Sequence, residues 1–130
     1  MGVSSDLQKL IVARPKSAVP AVSGRVYDGP SETAQMPYVS IGPSYFTPDD
    51  AECIRGRSET LQIDIWGSSK PNRAAVKDAV DQVYDALHGW GDTAALTMSP
   101  LRVSLVRVMD DVQQDIIHGV VQVEVSLENG

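Results

Sequence analysis

The chain has 130 residues and a mass of 14.0 kDa, which fits one domain over residues 1–130 and excludes two ordinary cores. With 42% apolar and 22% charged residues, the composition is neither disordered nor membrane-embedded. A formal charge of −6 and a pI near 4.7 argue against a free-standing nucleic-acid binder, which normally carries a basic face. The acidity is uneven. Up to Pro48, four basic residues stand against three acidic ones; from Asp49 onward it is seven against fourteen. Aromatics are only 5% of the chain, so the core must rest on Val, Ile, Leu and Ala. One cysteine, Cys53, allows neither an internal disulfide nor a multi-cysteine zinc site. Residues 1–20 lack the basic start and apolar run of a signal peptide. No apolar stretch approaches the roughly 20 residues of a membrane helix, so the expectation is a soluble protein without a membrane partner.

In chain order, Ser5 and Gln8 have the spacing of a capping box, and Leu7, Leu10 and Ile11 recur at helical intervals. This predicts a short helix over 6–13, stopped by Pro15 because the residue before a proline disfavours helical backbone. Residues 15–24 read as a connection and Arg25–Tyr27 as a brief extended piece, ended by a turn at Asp28-Gly29-Pro30. Tyr38–Ile41 is extended and is interrupted by Gly42-Pro43. Residues 42–57 lack periodicity and read as a long excursion, either a loop or a wide hairpin arm. Glu59–Trp66 is the clearest strand, with Leu61, Ile63 and Ile65 on one face and Gln62, Asp64 and Trp66 on the other.

Ser69 and Pro71 suit the start of a helix running to His88. Val76, Val80, Val83 and Leu87 form its apolar stripe, with Asp78, Asp81 and Asp85 opposite. His88, in the last turn, is placed to gain from the negative end of the helix dipole, and Gly89 is a natural terminator. Residues 89–100 form a loop. Leu101–Met109 and Gly119–Leu127 follow as two strands of an antiparallel hairpin, joined by the acidic turn Asp110–Asp115. The whole is an α+β fold, a mostly antiparallel sheet of about four to five strands with two helices packed on one face.

The search for chemistry yields no catalytic set, no cofactor-binding loop and no metal site. His88 and His118 have no carboxylate or cysteine at a recognisable spacing and read as cap and turn residues. Cys53 reads as a spare thiol beside Arg55. The glycines punctuate turns without forming a phosphate loop, and Asp110, Asp111 and Asp115 lack the pattern of a calcium loop. Two features stand out. The like charges of Asp78, Asp81 and Asp85 repel at helical spacing. Trp66 points away from the apolar strand face, to be covered either by a helix or by another subunit.

Arg25-Val26-Tyr27-Asp28-Gly29-Pro30, then Pro37–Gly42, then Leu61-Gln62-Ile63-Asp64-Ile65-Trp66 resemble the tail completion, or tail terminator, proteins of long-tailed phages, prophages and gene transfer agents. The likeness continues through the helix ending in Leu87-His88 and the closing hairpin with His118-Gly119. It implies a structural virion protein, made in the bacterial host cytoplasm and placed at the head-proximal end of the tail. It implies a homo-oligomeric, hexameric ring that ends tube polymerisation and contacts the tail tube protein and the head connector. DNA passes through such a ring without specific binding. No catalytic residues come with the resemblance. A ring subunit needs two different contact faces. The candidates are Tyr45, Phe46, Ile54, Arg55 and Arg57 in the excursion, together with Trp66. Asp78, Asp81 and Asp85 are the candidates for an acidic lumen. The competing readings are a head-side connector or stopper, and a small ligand-binding or enzymatic α+β domain.

Overall fold

A computed structural model describes residues 2–27, 29, 35–50, 53–68, 73–94, 96–110 and 115–128. In chain order the elements are helix α1 (Val3–Ala18), strands β1 (Val26–Tyr27), β2 (Tyr38–Pro48) and β3 (Gly56–Ser68), helix α2 (Arg73–Leu87), and strands β4 (Arg102–Asp110) and β5 (Ile116–Glu128). The strands form one sheet in the order β1-β2-β3-β5-β4. Among the described residues only the β1–β2 pair is parallel; β2–β3, β3–β5 and β5–β4 are antiparallel. The expected α+β architecture is therefore present, with both helices on one face.

Alternation builds this core. Leu61, Ile63 and Ile65 of β3 lie opposite Val123, Val121 and Gly119 of β5, and Ile65 and Ile63 also face Val39 and Ile41 of β2. Val76, Val80, Val83 and Leu87 of α2 and Leu7 and Ile11 of α1 bury against that surface. Each such side chain stabilises the fold by about 1.5–3 kcal/mol relative to exposure. Two glycines let α2 approach closely. A Cβ on Gly67 would lie 2.3 Å from Val76 Cγ2, and one on Gly119 would lie 2.5 Å from Val80 Cγ2. Val76 and Val80, one turn apart, thus sit on adjacent strands exactly where side chains are missing, as close packing of interiors requires. Gly89 ends the helix with φ +79, and its N–H donates to Leu101 O rather than back to the helix.

Helix α1 departs from expectation at both ends. Its N-cap is Gly2 rather than Ser5, and Asp6 N–H donates to Gly2 O at 3.1 Å. The earlier start goes with a tertiary contact: Ser4 Oγ donates to Glu59 Oε1 at 2.6 Å. Pro15 lies inside the helix, which continues to Ala18. An interior proline costs about 3 kcal/mol. Here only the final turn follows it, its ring is buried, and Val19 N–H closes that turn on Pro15 O at 3.0 Å. The expected connection then holds a short 3-10 turn, Pro20–Val22, whose Val22 is buried beside Val19.

The excursion over 42–57 is a hairpin arm. β2 passes through Gly42-Pro43 with a register shift between Ile41 and Ser44 and pairs with β3 as far as Pro48↔Arg57. The closing hairpin is present, with Ser99 and Thr97 bonding the far end of β5 as a backbone extension of β4. The expected turn at Asp28 and Pro30 and the expected helix start at Ser69 and Pro71 lie outside the described residues, as does Asp111.

Candidate subunit-contact site

The face of the sheet opposite the helices carries Tyr38, Ser40, Asp64, Trp66, His118 and Gln122 in register across β2, β3 and β5. It begins with a space. The hypothetical Cβ of Gly42 would lie 2.5 Å from Asp64 Oδ2, so glycine at the bulge makes room for that carboxylate. Asp64 is only 7% exposed. Its Oδ1 accepts from Gln62 Nε2 at 2.8 Å and bonds His118 Nε2 at 2.7 Å. A carboxylate accepts, so Nε2 of His118 carries the proton in this bond. The His118 ring stacks on Trp66 at 4.0 Å between centroids, 8° from parallel, and Trp66 Nε1 donates to Ser40 Oγ at 2.9 Å. Tyr38, opposite Trp66, meets Tyr27 edge-on at 5.7 Å.

This network corrects the reading of His118 as an isolated turn residue. It lies within β5 and has a carboxylate partner 54 positions away, which only strand register brings near. Among the described residues no helix covers Trp66: it is half-buried on the helix-free face, sheltered by its own neighbours. His88 is also corrected. α2 stops at Leu87, and His88 Nδ1 accepts the Val103 N–H at 3.1 Å, so the ring's proton is on Nε2 and the side chain serves as a cap for β4.

The arm gathers most of the remaining candidates. Tyr45 is 63% exposed and Phe46 48%. Register puts Tyr45 on the helix-free face with Thr60, and Phe46 on the helix side with Glu59. Arg57 lies 3.9 Å over the Phe46 ring and donates through Nη1 to Ser4 Oγ at 3.0 Å. Ser4 in turn donates to Glu59, which is buried, so the foot of the arm is tied to the start of α1. Ile54 and Arg55 are exposed near the tip, beside the exposed Cys53 with φ 58. Trp66 is not with them; it sits near the opposite end of β3. Asp78, Asp81 and Asp85 are exposed along α2, on the side turned away from Val76, Val80 and Val83.

Among the described residues, no three His, Cys, Asp or Glu side chains group as metal ligands, and no helix is long and apolar enough to cross a membrane. The structure is thus a small α+β domain whose most exposed aromatics stand on a hairpin arm. The chain belongs to the tail completion protein gp17 family, which it matches over residues 11–128, a stretch containing every motif of the resemblance. A chain from the virion of a native gene transfer agent particle has the same fold, with a TM-score of 0.73 and 20% identity over 99% of this chain and 96% of that one. No curated protein shows significant similarity to the chain.

Proposed function

We propose that this protein is a non-enzymatic structural subunit of a phage-type tail, a terminator that forms a hexameric ring at the head-proximal end of the tail tube. The match to the tail completion family over 11–128 carries this reading, and the likeness in fold to a gene transfer agent virion chain supports it. In this reading the ring stops tube growth and receives the head connector, and DNA slides through it. Tyr45, Phe46, Ile54, Arg55 and Arg57 on the arm, with Trp66 on the helix-free face, supply subunit contacts. Asp78, Asp81 and Asp85 repel DNA from the lumen wall. The Asp64–His118 pair favours no hydrolytic alternative. The nearest hydroxyl in the network, Ser40, is fully buried and holds the Trp66 N–H.

Particles lacking this chain test the reading. Tails of uncontrolled length and heads without tails are expected, both restored by the intact gene. Normal tails ending at the usual length would overturn the terminator role. A gold label found on the head side of the joint would instead favour a connector. Tyr45→Ser combined with Ile54→Ser is expected to lower the ring fraction at least tenfold in sedimentation while the melting curve stays in place.

A further inference from the structure

The sheet ends on two strand edges that complement each other. β2 and β5 run one way, β3 and β4 the other. β1 covers β2 only at Val39 and Ser40. Among the described residues, the outer edge of β2 from Ile41 to Pro48 and the outer edge of β4 from Ser104 to Asp110 have no strand partner; at Val103 the N–H is already taken by His88 Nδ1. Unpaired N–H and C=O groups along such edges are templates for another strand. The two edges have opposite sense. A copy of the chain moved sideways in the same orientation therefore brings β4 beside β2 in the antiparallel arrangement, with both helix layers on the same side.

We infer that the arm strand of one subunit adds to the β4 edge of the next, so that the sheet continues from copy to copy. The inference rests on the ring reading and specifies the seam. The chemistry of the two edges suits a second copy. Register across the sheet puts Tyr45, Thr60, Glu124 and Arg102 at one level. In a level register, Arg102 of one subunit, whose guanidinium pairs with Glu124 of its own chain, comes beside the Tyr45 ring of the next, a guanidinium–aromatic contact. In a staggered one, of the kind closed sheets adopt, Arg102 and Arg107 move toward the exposed Asp49 and Asp50 at the arm's end. Indiscriminate partners are limited. Pro43 and Pro48 each remove a donor from the β2 edge, and β4 carries a bulge between Val103 and Leu105. The exposed Leu105 and Val106 then find an apolar neighbour.

Disulfide trapping tests the seam in full-length chains carrying Cys53→Ser. Single variants Ser44→Cys, Tyr45→Cys and Thr47→Cys are mixed with Arg102→Cys, Ser104→Cys and Leu105→Cys, and each is first shown to melt as the parent does. Mild oxidation is expected to double the 14.0 kDa chain mass in at least one arm-plus-edge mixture, and not in arm-plus-arm or edge-plus-edge mixtures. Rings seen by mass measurement with no arm-to-edge cross-link anywhere in the panel overturn the seam and leave the ring standing. Arm-to-edge cross-links in open chains that never close support the seam and overturn the ring. Absence of both oligomer and cross-link, with tail tube ends supplied, overturns both.

Discussion

Asp64 shows how one side chain can serve three strands. It lies on β3, is given space by a glycine on β2 and bonds an imidazole on β5. Removing it leaves the Gln62 amide and the His118 ring without their common acceptor, in a place with little water. Asp64→Ala is expected to cost about 1–3 kcal/mol by urea denaturation, the penalty for orphaned buried polar groups. Asp64→Asn, which keeps one acceptor oxygen, should cost less. In a Trp90→Phe background, Trp66 offers a local readout. Its emission should shift to the red in Asp64→Ala before global unfolding, as the His118 stack loosens and solvent reaches the indole. Emission unchanged up to the main transition would show that the network does not hold Trp66 in place. The sequence set Gln62, Asp64 and Trp66 on one strand face, but their partners Ser40 and His118 lie on other strands and only register brings them near.

Elements were readable where one face supplies the core. β3, β5 and the stripe of α2 repeat their apolar residues at the intervals one helix-side core face demands, and the structure keeps all of them within a few residues of expectation. The far half of β2 was not readable as a strand. Ser44–Thr47 is exposed on both faces, so no hydrophobic alternation marks it, and Pro43 imitates a terminator. The overrun of α1 through Pro15 was hidden for a different reason: burial and the Val19–Pro15 bond offset a local penalty that sequence alone displays. The seats beneath α2 were invisible too, since Gly67 and Gly119 differ from turn glycines only in what lies above them. Gly119→Ala is expected to destabilise by about 1–3 kcal/mol through overpacking against Val80. In the Gly119→Ala background, Val80→Ala should cost less than it does alone, so a double-variant loss smaller than the sum of the two single losses in thermal melts is the check. Additive losses would mean that the two positions do not press on each other.

At the scale of the molecule, charge separates by element. Asp78, Asp81 and Asp85 concentrate acidity along the outward side of α2, while the exposed arginines of β4 lie at the sheet's edge. Among exposed positions, individual charges do little for stability. Their expected effect is on what the assembled surface repels. In the proposed ring, converting all three aspartates to lysine should leave the melting temperature within a few degrees and slow DNA release from particles, more so at low ionic strength, where a Debye length reaches about 30 Å. Ejection timed by dye uptake across a salt series checks this. Release as fast as in the parent at every salt concentration would place α2 away from the DNA path. The helical spacing already set these aspartates opposite the apolar stripe, and the fold leaves all three exposed on that side.

The chain of contacts from Phe46 through Arg57 and Ser4 to Glu59 has a mechanical consequence. It is the route by which the arm grips the helix layer, so the arm is braced at its root rather than hinged there. Bending it means withdrawing Arg57 from the ring it covers and loosening the first turn of α1. Load on the arm is thereby transmitted to the first turn of α1.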